Sequence, residues 1–227
     1  MNSIQIIVNN LSVSKNGTDI LKNINLQFFE GKSYLLYGRN GAGKTTLINS
    51  IIGLQEKFQG DIQFNLMNET ALEISYLSED VSISEYIKVK SYINSFLYLY
   101  KKMGLLNESN YNILFDIFEI YKYINKSFGS LSKGMKKMVL LCISLMKKSD
   151  ALILDEPFEG LDIIIKEKLS KFLLNEVEKG KIMLMSSHEI AEVYDSFDYV
   201  IGMKAGSITM IANKEIKREY QDLLTKI

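Results

Sequence analysis

Apolar and polar positions follow two different periods along this chain, and the switches between them mark its parts. Near the start, residues 4–8 and 24–29 read as strands, with the turn chemistry of Asn16-Gly17 between them. Tyr34-Leu35-Leu36-Tyr37 completes a further strand at 33–37. The stretch after it sets Leu47, Ile48, Ile51 and Ile52 on one helical face and stops at Gly53. Residues 61–66 and 72–77 predict two more strands. From about 81 to 149 the period is helical, and aromatics crowd the apolar stripes: Tyr92, Phe96, Leu97 and Tyr100, then Leu114, Phe115 and Phe118. Stripes of this kind belong to core packing rather than to a cofactor pocket. Strand patterns return at 151–154 and 182–185, both continuously apolar, as parallel strands covered on two faces are. A helix over 162–179 between them makes a β-α-β unit. Residues 199–202 and 207–211 predict a last strand pair, and 213–226 a closing helix.

Composition narrows the classes. A chain of 227 residues, 47% apolar and 24% charged, can bury a substantial core. Formal net charge is zero, so no electrostatic footprint of nucleic acid is present and no such partner is expected. The single cysteine, Cys142, lies within the apolar run 138–143 and reads as core filler in a reducing cytoplasm. No secretion signal is visible at the start, and no apolar run approaches the ~20 residues of a membrane helix. A membrane partner stays open. The pairs Lys101-Lys102, Lys136-Lys137 and Lys147-Lys148 read as solvated helix faces or ends.

The chemistry begins directly behind the strand at 33–37. Residues 38–45 read Gly-Arg-Asn-Gly-Ala-Gly-Lys-Thr, a glycine-rich turn entering a helix. Gly38, Gly41 and Gly43 permit backbone angles that let successive N–H groups converge on one anion. The helix starting near Lys44 adds its free N–H groups and the positive end of its dipole. Arg39, Asn40, Ala42 and Thr46 complete the loop around the phosphates. Lys44 is expected to reach the β- and γ-phosphates and Thr45 to ligate Mg²⁺, so the motif predicts a nucleoside triphosphate.

A second cluster ends the strand at 151–154, where Asp155 and Glu156 follow four apolar residues. Ligands of parallel sheets bind beyond the carboxyl ends of the strands, where the glycine loop also lies. Asp155 is expected to help hold Mg²⁺ through water, and Glu156 to polarise an attacking water as general base. His188, the only histidine, follows the next strand through Ser186-Ser187 and is placed to touch a γ-phosphate.

Upstream lies Ser130-Leu131-Ser132-Lys133-Gly134-Met135, then an apolar helix. With it the chain resembles, over essentially its whole length, the ATP-binding subunit of an ATP-binding cassette (ABC) transporter. Residues 38–45 match the Walker A loop, 131–135 the signature motif, 151–156 the Walker B strand and 160–162 the D-loop, and His188 falls at the switch position. The resemblance implies an α/β P-loop NTPase cassette: a mixed, largely parallel sheet core with an inserted helical subdomain. Residues 1–227 would be one nucleotide-binding domain, with 1–79 and 150–227 as core and 80–149 as the helical part carrying the signature. It further implies ATP hydrolysis at the cytoplasmic face of a membrane, coupled to transport through separate polytopic permease subunits. Two cassettes would pair head to tail, identical or different, with Lys44 of one and Ser132 and Gly134 of the other gripping one ATP.

The chain departs from the family pattern at several positions. Lys133 and Met135 replace the usual third and fifth signature residues; this variant resembles the ABC-2 type, which is dominated by exporters, and so points to export. Glu79 stands where a Q-loop glutamine is usual, and could bind Mg²⁺ or merely lie nearby. Lys15 matches the position where many cassettes stack adenine on an aromatic. Phe158 stands where a smaller polar residue is common. Three other readings are weighed: a non-transport ABC ATPase, a P-loop nucleotide kinase, and a weakly hydrolysing regulatory module. Absence of a long coiled coil argues against the first, residues 131–134 against the second, and Glu156 with His188 against the third.

Overall fold

The computed structural model describes residues 5–65, 71–78, 82–188 and 197–213. The expected closing helix over 213–226 and Glu79 lie outside the described residues, apart from Asn213 itself. Strand β1 (Gln5–Lys15) and strand β2 (Thr18–Phe29) form an antiparallel hairpin, and the region Gln59–Asn65, β4 in chain order, pairs with the other edge of β1. The Asn16-Gly17 turn has φ of 50° and 78°, the left-handed geometry that matches strand twist in a tight hairpin.

These strands are about twice as long as their apolar pattern predicts, and the reason is local. Ile6 and Val8 point inward on even positions, then Leu11 and Val13 on odd ones. The phase flips at Asn10, which has φ 50° and interrupts the register between Val8 and Leu11. Asn23 (φ 50°) does the same on β2. The Asn10 N–H donates to Asn25 Oδ1 at 2.9 Å, and the Asn23 N–H to Ser12 Oγ at 2.9 Å, so the bulges keep their backbone groups paired. Gly60 on β4 lies so close that an added Cβ would sit 2.4 Å from Asn9 O.

The central sheet has the order β5-β6-β7-β3-β8-β9. Its strands are β3 (Ser33–Tyr37), β5 (Ile74–Leu77), β6 (Ala151–Leu154), β7 (Ile182–Ser187), β8 (Tyr199–Lys204) and β9 (Ser207–Asn213). All neighbours are parallel except β8 and β9, so the sheet is mixed and largely parallel as expected. Alternate residues of the middle strands feed two apolar clusters on opposite faces. Tyr34, Leu36, Ile153 and Leu184 join Leu47, Ile48 and Ile51 of helix α1 (Lys44–Ile51) and the β1–β2 side chains. Leu35, Leu152, Leu154, Met183 and Met185 join helices α4 (Lys133–Leu145) and α5 (Ile163–Glu178). Two-sided burial is why these strands read as unbroken apolar runs, and each such Leu or Ile contributes ~1.5–3 kcal/mol.

Between β5 and β6 the described residues hold no strand, only short 3-10 turns and helices: α2 (Val89–Lys102), α3 (Glu108–Ile117) and α4. Tyr92, Phe96, Leu97, Tyr100 and Phe115 pack on Leu114, Phe118 and Phe128, so the aromatic stripes are core. Phe158 joins the same cluster and is buried. The lysine pairs need a correction. Lys137 is buried, because α4 turns that face toward the 156–162 turn and the core. Lys147 is half-buried, holding Glu73 at 2.7 Å and the Ile74 carbonyl at 3.1 Å.

Candidate nucleotide site

The glycine loop joins the carboxyl end of β3 to α1, and backbone crowding dictates its residues. An added Cβ at Gly38 would lie 2.4 Å from Met203 O, so β8 approaches the loop too closely for any side chain there. Gly43 caps α1 with φ 106° and brings no side-chain hydrogen bond, which leaves the first-turn N–H groups to a ligand. Arg39, Asn40 and Gly41 are exposed, Ala42 is buried, and Thr45 and Thr46 are half-buried on the first turn of α1.

Lys44 folds back over this loop. Its Nζ donates to Gly38 O at 2.7 Å and lies 3.3 Å from Glu156 Oε1, with both side chains buried. On its other oxygen, Oε2, Glu156 meets His188 Nδ1 at 3.0 Å. The strands explain the meeting: β3, β6 and β7 are parallel neighbours, so Lys44, Glu156 and His188 all follow their carboxyl ends. The lysine, carboxylate and histidine that motif spacing predicts therefore form one contact chain.

Asp155 and Glu156 are held by a residue that pattern reading passed over. Ser186 Oγ donates to Asp155 Oδ1 and accepts the Glu156 N–H at 2.8 Å, all fully buried or nearly so. Glu156 has φ 49°, a left-handed conformation that a residue with a Cβ occupies at a cost of ~1–2 kcal/mol. The Ser186 bond fixes that strained peptide. The available signal was slight: two serines ending an otherwise apolar strand.

The second Asp155 oxygen, Oδ2, is buried without a hydrogen-bond partner. An orphaned buried acceptor of this kind suits the water shell of Mg²⁺. Among the described residues no group of three or more His, Cys, Asp or Glu could hold a metal by themselves. Thr45 and Asp155 are the residues that would hold such an ion, together with the oxygens of a bound phosphate.

Ser132 and Gly134 lie elsewhere, at the start of α4, Ser132 exposed and Gly134 half-buried. Ser132 caps α4 by accepting the Met135 N–H at 3.2 Å. Gly134 presses on the 156–162 turn, where an added Cβ would sit 2.3 Å from Gly160 O. Lys133 Nζ donates to Glu159 Oε1 at 2.7 Å. Asp162 caps α5 by accepting the Ile165 N–H at 3.0 Å. The signature turn thus contacts the stretch that follows Glu156, and it faces outward. Lys15 ends β1 as an exposed residue paired with Thr18, with no ring to offer a base.

Known proteins resemble this chain throughout. The sequence profile of the family described as ABC transporter matches residues 21–159. A cytochrome c biogenesis ATP-binding export protein of Reclinomonas americana is 34% identical, over 80% of this chain and 83% of its own length. A zinc import ATP-binding protein of Buchnera aphidicola is 35% identical, over 88% and 80%. An uncharacterized ABC transporter ATP-binding protein of Methanocaldococcus jannaschii is 30% identical, over 96% and 83%. Among solved structures, an ATP-binding subunit of an ABC transporter superposes with a TM-score of 0.82 at 24% identity, covering 97% of this chain and 98% of that one.

Proposed function

This chain belongs to the ABC transporter family as an ATP-binding subunit, and on that premise we propose how its residues divide the work of ATP hydrolysis. Residues 38–46 hold the triphosphate of ATP, with Lys44 as the charge partner of its terminal phosphates. Glu156 is the general base and His188 orients it or meets the γ-phosphate. Thr45 and Asp155, with Glu79 as a further candidate, serve Mg²⁺, which when bound offsets the charge of the phosphates. The observation that carries this reading is the buried contact chain Lys44–Glu156–His188. In it the Lys44 ammonium neutralises the Glu156 carboxylate. A phosphate arriving at the loop would compete for Lys44 and release Glu156 to act on water.

Residues 80–149 would form the helical subdomain, inserted into a core of 1–79 and 150–227. Ser132 and Gly134 would complete the site of a second cassette, because Ser132 is exposed and both lie at the N-terminal end of α4. Among the described residues no helix is long and apolar enough to cross a membrane. Polytopic permease subunits would therefore supply the path, with this chain docked on their cytoplasmic side through the Q-loop region and the helical part. The relatives' names include both import and export, so they lend the expected export direction no support. That expectation rests on the Leu-Ser-Lys-Gly-Met variant alone.

The test is steady-state ATP turnover of Glu156→Gln. Removal of a general base lowers kcat by ~10²–10⁴ while nucleotide binding persists. Unchanged turnover would remove Glu156 from catalysis.

A further inference from the structure

Two features converge on the four residues after Glu156. The first is a close backbone approach: Gly134 of the α4 start leans on the Gly160 carbonyl with no room for a side chain. The second is an ion pair beside it, Lys133 Nζ to Glu159 Oε1 at 2.7 Å. The pair is lopsided. Lys133 keeps 71% of its side chain exposed at the first position of α4, next to the Ser132 cap. Glu159 is only 32% exposed, and its second oxygen, Oε2, is buried without a hydrogen-bond partner. The hydrogen bond from Lys133 is the main reason the Glu159 carboxyl sits below the usual range, with smaller help from Lys137 and His188.

An ammonium at the start of a helix is an electrostatic misfit. The N-terminal turn is already positive, and a lysine there adds like charge. Glu159 offsets it. The same crowding of positive charge becomes favourable as soon as an anion faces the turn. The exposed lysine can then leave a partly solvated carboxylate for a multiply charged phosphate, because an exposed pair of this kind is weak.

We propose that Lys133 and Glu159 form a charge switch on the face offered to a second cassette. Glu159 parks the Lys133 ammonium while no nucleotide faces α4, and the γ-phosphate of ATP held by the partner copy takes it over. Lys133 thereby becomes a phosphate contact of the composite site beside Ser132 and Gly134, and Glu159 a positioning residue that acts through it. The switch rests on the two-cassette reading given above. It also gives a use to the lysine that replaces the usual small residue of the signature.

The experiment measures ATP-dependent dimerisation of the full chain by sedimentation velocity in a Glu156→Gln background, where bound ATP is not consumed. Lys133→Gln should raise the ATP concentration at half-maximal dimer about tenfold, and Lys133→Arg should restore it. Glu159→Gln should lower it by about threefold, and the double variant should match Lys133→Gln alone. The opposite sign of the Glu159→Gln effect separates a switch from a merely structural clip, for which breaking the pair from either side would weaken the dimer alike. Equal midpoints for the Lys133→Gln variant and its parent would overturn the switch while leaving the two-cassette reading intact. An absence of ATP-dependent dimers in every variant, parent included, would overturn both.

Discussion

Ser186→Ala is the sharpest test of how the strand end is built. Ser186 Oγ serves both carboxylate residues at once, donating to Asp155 and accepting from the Glu156 N–H. Alanine keeps the Cβ and leaves no clash, so the change isolates the two hydrogen bonds. The bond to the Asp155 carboxylate is charge-assisted and worth ~1.5–3 kcal/mol. The stranded Glu156 N–H, buried just beyond the end of β6, adds ~1–3 kcal/mol. Together they predict a loss of ~2.5–6 kcal/mol. For a chain of this size that lowers Tm by about 5–24 °C. The kinetic effect follows from the φ of 49° at Glu156. Without the Ser186 anchor the strained peptide can relax toward an ordinary angle and carry the carboxylate away from Lys44 and His188. Turnover should therefore fall in kcat more than in KM, since both Ser186 Oγ bonds go to the Asp155–Glu156 end. The assay is a thermal melt paired with steady-state ATP hydrolysis. A variant with an unchanged Tm and full kcat would refute the claim that this hydroxyl holds the site.

Two further outcomes follow from other buried groups. Burial alone pushes the Glu176 carboxyl up, but hydrogen bonds from Lys179, Lys181 and Asn110 outweigh it and hold the carboxyl below its usual range. A depressed folded value adds stability that is complete above the unfolded value of about 4.3 and is lost as pH falls through the folded one. Glu176→Gln should therefore show a flatter dependence of urea midpoint on pH below about 5 than the parent, and parallel curves would count against the network. Cys142 is fully buried, and burial pushes its thiol up to about 12. Native protein should resist a thiol reagent at neutral pH and label only at the rate of unfolding, whereas fast labelling would contradict the packing of α4.

What could be read from sequence follows from whether the cause is local. The glycine loop was legible because a phosphate cradle needs its residues in one contiguous run. Strands β3, β6 and β7 were legible because burial on both faces leaves no polar position inside them. β1 and β2 were cut short because Asn10 and Asn23 shift the phase of alternation, and a period count cannot see past a phase shift. Ser186 was passed over because its partners lie 30 and 31 residues away. The Lys133–Glu159 pair, 26 residues apart, was hidden for the same reason. Lys137 reads as a solvated face because a helix-face pattern looks the same whether that face meets water or is buried.

The turn after β6 gains its importance from how few residues separate two surfaces. Glu156 touches Lys44 and His188 on one side, and its carbonyl accepts the Glu159 N–H at 3.3 Å on the other. One residue later Gly160 meets Gly134 with no space between backbones. Any rotation of the strained Glu156 peptide must therefore shift the Gly160 carbonyl or be absorbed within three residues. Pro157 fixes its own φ, and Phe158 is buried in the core, so little of that freedom remains. Asp162, capping α5, anchors the far end of the turn. A displacement at the carboxylate is then passed to the close contact with Gly134 at the start of α4. The residues that would grip the chain's own nucleotide and those it would present to a partner are thus joined by a single short, stiff turn.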